Sequence, residues 1–468
     1  MLSGHPFRNR VRELEALRGD WGSRGPQFLV VWGRRRVGKT TLLREAVKGR
    51  RHVYLVADTQ REALLLDMFA AECARALGPA GISFRSWDAL LEYLADAAKE
   101  ELVVVFDEVG FLNEANPAFY SILQRHWDTN LSRTRLRLVL CGSSVSAMER
   151  DVLGYRSPLY GRRTGQLEVH PLRYADVRPF FPGAPEDRRI ELYAIAGGIP
   201  AYLQQLDPRQ SPIENVEGRV FPTQAYLHRE PRLLLLQELR QPATYFSVLT
   251  AIAEGTTRFH EIAQRSGLTS NTLGKYLGIL QALRLVRREL PATEARLTRR
   301  KSLYRVADPF FAFWFRFVAP WTGSLEAGDL GAPRRHLREN WPAHAGTVFE
   351  EVCREVVRDH PVPFGGPWER VGRWWSGGEE IDVVGVDRRR GALLLAECKW
   401  SSQRVSPDLV GAIVRKRDLL GGRWKQTRLA IFSRSGFTPA CVRSAGEEVQ
   451  LVDLARLRRE LAEKRALR

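Results

Sequence analysis

Lysine and cysteine are scarce in this 468-residue sequence, and no apolar run is long. The five cysteines are scattered without a close pair, so we expect neither a disulfide framework nor a zinc site, as suits a reducing cytosol. The most apolar stretch, 309–320, is too short to span a bilayer and contains Arg316, so we expect a buried aromatic helix there. No N-terminal segment is typical of a signal peptide. These absences predict a cytoplasmic protein without a membrane partner.

Acidic residues are also outnumbered. The formal net charge is +18, and lysine supplies only nine of the 72 basic residues, which leaves 72 − 9 = 63 arginines. A positive field of this size attracts polyanions, so nucleic acid is the first partner to consider and an acidic membrane surface the second. Genomic base composition can also produce an arginine excess. Because lysine is rare, a lysine at a motif position is harder to explain by chance.

The first two hundred residues alternate apolar runs with segments of helical spacing, such as 61–77 and 87–99. Almost continuous apolar runs are typical of strands covered on both faces of a parallel sheet. The pattern therefore predicts an α/β fold with a parallel sheet. The four predicted strands are 28–32, 52–56, 102–106 and 136–141.

A P-loop runs from Gly33 to Thr41, between the first predicted strand and a helical segment. The motif G-x-x-x-x-G-K-[ST] is matched by Gly33, Arg34, Arg35, Arg36, Val37, Gly38, Lys39 and Thr40. Glycines permit a sharp turn, so that backbone N–H groups at the positive end of a helix can hold phosphate. We expect Lys39 to reach the β- and γ-phosphates of ATP and the Thr40 hydroxyl to bind Mg²⁺. A chance match in a basic loop is disfavoured by the flanking strand and helix.

Two acids, Asp107 and Glu108, follow the apolar run 102–106. An acid pair at the carboxyl end of a strand is typical of the Walker B motif. We expect Asp107 to hold Mg²⁺ and Glu108 to act as the general base toward the attacking water.

Two further segments leave alternatives open. Ser143 and Ser144 follow the fourth strand, where a polar side chain can sense the γ-phosphate or simply form a turn. Arg162 or Arg163 can act as an arginine finger, or both can belong to a solvated basic loop.

With these motifs, the sequence resembles prokaryotic AAA+/STAND-related ATPases of the archaeal type, over most of its length. Residues 7–14 look like the N-terminal box of that group, which lies near the nucleotide base. Gly198-Ile199-Pro200 resembles the Gly-x-Pro motif that follows the ATPase core. The resemblance implies ATP and Mg²⁺ as cofactors, and a homo-oligomer or a protein partner is compatible with it.

Residues 245–306 have the pattern of a winged helix, with three short helices and two short strands. Gly267 stands where a helix-turn-helix needs a permissive residue, and Thr269 or Ser270 can cap the second helix of that motif. That helix is expected to turn four polar residues outward, and the loop between the two strands is basic. The alternative is a winged helix that packs on the ATPase core or on a partner protein. The residues concerned are Asn271, Thr272, Lys275 and Tyr276 on the helix, and Arg296, Arg299, Arg300 and Lys301 in the loop.

The C-terminal region combines a helix at 347–358 with a predicted hairpin at 380–400. Hairpin pairing places Asp382 about opposite Glu397, and Lys399 lies on the same strand face as Glu397. Two carboxylates beside a lysine resemble the site of PD-(D/E)XK nucleases. That resemblance adds Glu350, in the preceding helix, as a third metal ligand and treats Glu351 as the weaker choice. An exposed hairpin with alternating charges is the alternative.

The predicted organisation has six parts: a P-loop ATPase domain at 1–205, a helical connector at 206–240, a winged-helix domain at 241–320, a linker at 321–345, a PD-(D/E)XK nuclease-like α/β domain at 346–440 and a basic tail at 441–468. The leading hypothesis is an ATP-hydrolysing protein that acts on DNA and carries a metal-dependent nuclease-like domain. The alternative is an ATP-dependent regulatory switch that binds DNA or a protein without cutting nucleic acid. A processive motor is disfavoured because no further helicase motif is found.

Overall fold

The computed structural model describes residues 7–22, 25–78, 81–239, 241–294, 301–420 and 424–463. Two compact units make up the chain. The first comprises Met1–Pro171 with Ile199–Ala201, and the second comprises Leu172–Gly198 with Tyr202–Arg468. Among the described residues, no helix has the length and apolar character needed to cross a membrane.

Five parallel strands form the sheet of the first unit, in the order β2-β3-β4-β1-β5. Every residue of β3 and β4 is buried, because both faces of these central strands are covered. The four predicted strands are therefore confirmed. The edge strand β5 is half exposed and lacks an apolar run, so the sequence pattern does not predict it. The strands are β1 (Gln27–Trp32), β2 (His52–Val56), β3 (Leu102–Asp107), β4 (Leu136–Gly142) and β5 (Gly165–Glu168).

Helices cover the sheet of the first unit. The apolar face of α3 packs on the strands, and the Phe69 ring lies 6.0 Å from both Trp87 and Phe106. The strand order sets the end of β4 between the ends of β1 and β3, so the residues that follow these three strands meet at one edge of the sheet. The helices are α1 (Val11–Trp21), α2 (Lys39–Ala46), α3 (Glu62–Leu77), α4 (Trp87–Ala97), α5 (Gly110–Ala115), α6 (Phe119–Thr129) and α7 (Val145–Ala147).

Five short helices follow in the chain. The segment 206–240 contains the last two of them. The first of this pair, Pro212–Arg219, begins with a capping box in which the side chains of Ser211 and Glu214 each accept a hydrogen bond from the other's backbone N–H. The helices are α8 (Tyr174–Val177), α9 (Glu186–Ala196), α10 (Pro200–Leu203), α11 (Pro212–Arg219) and α12 (Glu230–Glu238).

Three helices and an antiparallel strand pair come next, as the sequence predicts. Gly267 ends the second helix in a left-handed conformation with φ of 67°, and the Thr269 side chain caps the third helix. Leucines of the third helix are buried, whereas Asn271 and Lys275 are exposed. The elements are α13 (Pro242–Ala253), α14 (Phe259–Ser266), α15 (Ser270–Ala282), β6 (Val286–Glu289) and β7 (Leu303–Val306).

Two of the four helix residues expected to face outward are less exposed than predicted, and three of the loop residues lie outside the described part of the chain. Thr272 and Tyr276 are only half exposed. The Tyr276 ring packs 4.6 Å from the ring of Tyr245, and the Thr272 hydroxyl lies 2.8 Å from that of Thr269. The loop arginines Arg296, Arg299 and Arg300 lie outside the described residues, and Lys301 is exposed.

The predicted linker at 321–345 is wrong. It contains a short helix and the first half of a 29-residue helix that runs through Pro342. Leu337, Trp341, Ala345 and Val348 form a buried stripe at helical spacing, and this packing outweighs the backbone hydrogen bond that proline cannot make. The apolar stretch 309–320 contains a helix with six buried residues, as predicted. The helices are α16 (Pro309–Phe317), α17 (Thr322–Glu326) and α18 (Gly331–Asp359).

The C-terminal part of the second unit contains a mixed five-stranded sheet, in the order β12-β11-β10-β9-β8. Strands β8, β9 and β10 are antiparallel neighbours, whereas β10, β11 and β12 run parallel. The predicted tail at 441–468 is wrong, because it contributes a strand to this sheet through the buried Val449 and Val452. The elements are β8 (Arg370–Ser376), β9 (Glu379–Asp387), β10 (Ala392–Lys399), β11 (Gln426–Ser433), β12 (Val449–Asp453), α19 (Pro407–Leu420), α20 (Pro439–Ala445) and α21 (Leu454–Glu463).

Gly198, the first residue of the Gly-x-Pro motif, lies against backbone. The Leu172 N–H donates to the Gly198 carbonyl oxygen at 2.7 Å, and a Cβ atom at position 198 would overlap the backbone of Leu172. The glycine is therefore required by a close approach of two backbone segments within the second unit.

We expect Gly198→Ala to destabilise the second unit by about 2 kcal/mol or more, because backbone cannot move aside as a side chain can. Thermal denaturation followed by circular dichroism measures the effect. Gly218→Ala is the matched control, since Gly218 lies inside α11 with open space around its Cβ position and alanine is the better helix former. Equal melting temperatures for the two variants would contradict this account.

Candidate functional site

The P-loop lies between β1 and α2 and is shaped by left-handed backbone. Gly33 has φ of 149°, Arg36 has φ of 67° and Gly38 has φ of 94°. A Cβ atom at Gly33 would overlap the carbonyl oxygen of Val169, so the loop also passes very close to the chain that follows β5. The two motif glycines are thus explained by conformation and by space.

Lys39 is buried over the P-loop. Its ammonium donates to the carbonyl oxygens of Gly33, at 2.8 Å, and Arg34, at 3.0 Å. Burial lowers the pKa of Lys39 from its ordinary value, and the negative charges of Glu108 and Asp107 partly oppose that change. The lysine is therefore held in the centre of the loop, beside both acids of the second motif.

Asp107 joins the P-loop to two strands. Its Oδ2 atom accepts a hydrogen bond from the Thr40 hydroxyl at 2.8 Å and another from the Tyr54 hydroxyl at 2.7 Å. Its Oδ1 atom accepts from the backbone N–H of Glu108 at 3.0 Å. The carboxylate is only 1% exposed, so these donors hold it in one orientation.

Tyr54 is a site residue that sequence reasoning misses. It lies on β2, whose neighbour is β3, and burial together with the charge of Asp107 raises the pKa of its phenol well above the ordinary value. The signal in the sequence was a tyrosine hydroxyl in the middle of a mostly apolar strand.

Glu108 lies beside the end of β4. Its backbone is left-handed, with φ of 56°, and its Oε2 atom accepts a hydrogen bond from the Ser143 hydroxyl at 2.6 Å. Ser144 has a different position, since its side chain caps the start of α7. Of the two serines considered for γ-phosphate sensing, Ser143 therefore lies at the acid pair and Ser144 forms the turn.

The N-terminal box also contacts the P-loop. The buried Arg10 donates to the carbonyl oxygen of Val37 at 2.7 Å and forms an ion pair with Glu13 at 2.6 Å. Asn9 and Arg10 both have positive φ, so the chain turns sharply where this contact is made. The box is thus fixed to the loop that it precedes by more than twenty residues in sequence.

The other residues of the first unit that the sequence singles out are half-buried, exposed or paired. Arg34 and Arg35 are half-buried, while Arg36 and Thr41 are exposed. Arg162 forms an ion pair with Asp128 at 3.0 Å. Arg163 donates to the carbonyl oxygen of Leu153 at 3.1 Å.

The oxygen atoms of Thr40 and Asp107 suit a magnesium ion, which prefers hard oxygen ligands. They lie 2.8 Å apart at the start of α2, where helix N–H groups favour phosphate. The buried ammonium of Lys39 supplies a positive charge at the same place. The residues present therefore fit a magnesium–nucleotide complex.

In the second unit, the β9–β10 ladder brings Asp382 and Glu397 together. The last paired residues are Val383 and Ala396, and the Asp382 Oδ2 atom accepts from the backbone N–H of Cys398 at 2.9 Å. The predicted hairpin is thus confirmed.

Glu397 has a different lysine partner from the expected one. Its Oε1 atom accepts a hydrogen bond from Lys416 of α19 at 2.7 Å, whereas Lys399 is exposed. Burial raises the pKa of Glu397 to about 7, with the charge of Asp382 adding to the rise and Lys416 opposing it. The scarcity of lysine in the sequence could have drawn attention to Lys416, which lies outside the nuclease motif.

Glu350 is surrounded by arginines. It lies 2.8 Å from Arg373 of β8 and 3.6 Å from Arg354 of α18. Burial raises the pKa of Glu350, and the charge of Arg373 opposes this. Among the described residues, no group of three or more His, Cys, Asp or Glu side chains is placed to hold a metal ion. As arranged here, Glu350, Asp382 and Glu397 do not form a three-carboxylate metal site.

Glu351 connects α18 with the strand pair β6–β7. It accepts from Arg287 of β6 at 2.6 Å and from Arg354 at 3.0 Å. Burial would raise the pKa of Glu351, but the charges of Arg287 and Arg354 outweigh it and lower the pKa. Arg354 also donates to the carbonyl oxygen of Asp382 at 2.7 Å, so the ion pairs continue to the carboxylate strand.

Two family models match separate parts of the chain. A family model described as an ATPase domain predominantly from Archaea matches residues 7–206. A second model, described as Archaea bacterial proteins of unknown function, matches residues 314–408. The first match contains the P-loop and the acid pair. The second contains the region of Glu350, Asp382 and Glu397.

Among related proteins, an uncharacterized protein of Methanocaldococcus jannaschii is 32% identical over 422 residues, which are 89% of this chain and 92% of that protein. Another uncharacterized protein of the same organism is 43% identical over 56 residues, which are 12% of this chain and 54% of that protein. Among solved structures, the Walker-type ATPase of Pyrococcus abyssi is 20% identical and superposes with a TM-score of 0.51. The match covers 66% of this chain and 96% of the P. abyssi chain, and it shows a shared fold. The chain belongs to one family with the first M. jannaschii protein and carries an archaeal-type P-loop ATPase domain.

Proposed function

We propose that this protein binds and hydrolyses ATP at the P-loop and uses the cycle to control its action on DNA. The observation that carries the ATPase part is the hydrogen bond between Thr40 and the buried Asp107. This bond supports the proposal because phosphoryl transfer requires the phosphate-binding loop and the acid strand to lie side by side.

Each residue of the site has a distinct proposed role. Backbone N–H groups of residues 34–39 hold the phosphates, and Lys39 neutralises charge on their oxygens. Thr40 and Asp107 are the ligands for magnesium, which supplies charge neutralisation on the transferring phosphate when it is bound. Glu108 accepts the proton of the attacking water, and Ser143 orients its carboxylate.

DNA is proposed as the macromolecule acted on. The support is the net charge of +18 together with the α13–α15 and β6–β7 arrangement, which has the element order of a winged helix. The exposed Asn271 and Lys275 of α15 are available for contacts in a groove. In this proposal the ATPase is a switch for DNA binding, in a single chain or in a homo-oligomer.

We expect Lys39→Ala to reduce ATP turnover at least about 100-fold, because the variant loses a buried positive charge at the phosphates. A coupled-enzyme assay of ATP hydrolysis with Mg²⁺ measures this. Lys48→Ala is the matched control, since Lys48 follows α2 on the surface and pairs only with Glu45 there among the described contacts. Turnover in Lys39→Ala that equals turnover in Lys48→Ala would exclude the P-loop as the hydrolytic site.

We expect Glu108→Gln to reduce the rate of hydrolysis by about 10²–10⁴ while ATP binding is retained. The amide keeps the size of the side chain but cannot accept a proton. Single-turnover hydrolysis and equilibrium binding of a fluorescent ATP analogue separate the two effects. Loss of binding with an unchanged single-turnover rate would show that Glu108 acts in affinity instead of chemistry.

Cleavage of nucleic acid by the C-terminal module is a second candidate function. The specific observation in its favour is that Asp382 and Glu397 lie side by side on paired strands. The arginines around Glu350 favour the alternative, a module that binds without cutting.

The double variant Asp382→Asn with Glu397→Gln distinguishes these two candidates. If the protein is a switch that does not cut nucleic acid, we expect the double variant to retain DNA binding, as measured by fluorescence anisotropy. If the module cuts, wild-type protein degrades DNA with Mg²⁺ and the double variant does not. Wild-type cleavage then increases as the pH rises through about 7, the pKa of Glu397, because the carboxylate loses its proton there. Wild-type protein that leaves varied DNA and RNA intact would eliminate the nuclease candidate.

A further inference from the structure

The chain that leaves β6 is joined to the edge of the C-terminal sheet. The Ala292 N–H donates to the carbonyl oxygen of Arg373 in β8 at 2.7 Å. Arg370, also in β8, donates to the carbonyl oxygen of Glu294 at 2.6 Å. The base of the β6–β7 loop is therefore held along β8, with Glu294 and Lys301 paired at 2.5 Å where the two sides of the loop meet.

The turn between β9 and β10 contains three consecutive arginines, and the third is fixed. Arg390 binds the carboxylate of Asp387 and the carbonyl oxygens of Gly365, at 3.1 Å, and Pro367. Its guanidinium also lies over the ring of Trp368, 5.5 Å from the centroid. A turn held by this many contacts has little freedom, so its neighbouring side chains project from a rigid base.

The other two arginines of the turn are presented to solvent. Arg389 is 94% exposed and forms an ion pair with Glu369 at 3.8 Å. Arg388 is exposed and donates to the carbonyl oxygen of Thr293 at 3.0 Å, which links the turn to the loop base. The turn and the loop base thus form one surface.

Basic side chains outnumber acidic ones on this surface. Burial lowers the pKa of Arg370, and the like charge of Arg388 lowers it further. Each nearby acid pairs with one basic residue: Asp387 with Arg390, Glu294 with Lys301, and Glu369 with Arg389. Like charges held close together destabilise the protein alone, and a bound polyanion relieves that repulsion.

We propose that Arg370, Arg388 and Arg389, named the basic edge, bind the phosphate backbone of duplex DNA. This inference rests on the proposed DNA-binding function and extends its surface into the C-terminal module. Arginine suits the role because its planar guanidinium donates two parallel hydrogen bonds to phosphate. Contacts of this kind position DNA without reading its sequence.

The test uses the full chain with Arg388→Ala and Arg389→Ala combined. Affinity for a fluorescent DNA duplex is measured by anisotropy over a range of salt concentrations. Loss of two phosphate contacts is expected to reduce the slope of log affinity against log salt by about 1.8. If the affinities converge at 1 M salt, this slope change corresponds to a roughly 60-fold loss at 0.1 M salt.

The matched control combines Arg443→Ala and Arg459→Ala. Both residues are exposed, on α20 and α21, and these helices pack against β12, the edge strand at the far side of the sheet from β8. The control removes the same charge and is expected to keep the wild-type slope. Unchanged melting transitions verify that both variants are folded.

Three outcomes are informative. A reduced slope in the Arg388/Arg389 variant alone supports the basic edge. Wild-type DNA binding with the same slope in both variants, or with equal losses in both, overturns the basic edge and leaves the proposed DNA function intact. Wild-type protein that binds anionic lipid vesicles or a single-stranded RNA but no duplex overturns both.

Discussion

The buried carboxylate of Asp107 fixes the geometry of the candidate ATPase site. It accepts hydrogen bonds from Thr40 at the start of α2, from Tyr54 on β2 and from the backbone of Glu108. Because one carboxylate receives donors from separate elements, the P-loop and the acid strand cannot shift independently. The proposed roles of Lys39 and Glu108 depend on this arrangement, since each acts only at a defined distance from the phosphates.

Buried charge plays a comparable part in the second unit. Arg354 of α18 binds both the Glu351 carboxylate and the backbone of the Asp382 strand, and Glu351 in turn accepts from Arg287 of β6. Breaking one member of such a network leaves a buried charge without its partner, which costs several kcal/mol. The region of α13–α15 and β6–β7 is therefore linked to the C-terminal sheet by contacts that resist separation, and the basic edge lies where they join.

Local chemistry made the first unit predictable from sequence. Strands β1 to β4 are mostly apolar runs, and the P-loop motif fixes its own conformation through Gly33 and Gly38. The predicted linker was wrong because a buried stripe from Leu337 to Val348 holds the helix through Pro342. Tyr54 and Lys416 escape motif reasoning since their contacts depend on which strands and helices become neighbours, and the arginines around Glu350 depend on the docking of distant segments.

A crystal structure of the protein with Mg²⁺ and a non-hydrolysable ATP analogue tests the central claim most directly. The account predicts phosphates against the N–H groups of residues 34–39, the Lys39 ammonium on phosphate oxygens, and Mg²⁺ about 2.1 Å from the Thr40 hydroxyl oxygen. Nucleotide bound elsewhere, or a P-loop in which Lys39 keeps only its bonds to Gly33 and Arg34, would contradict it.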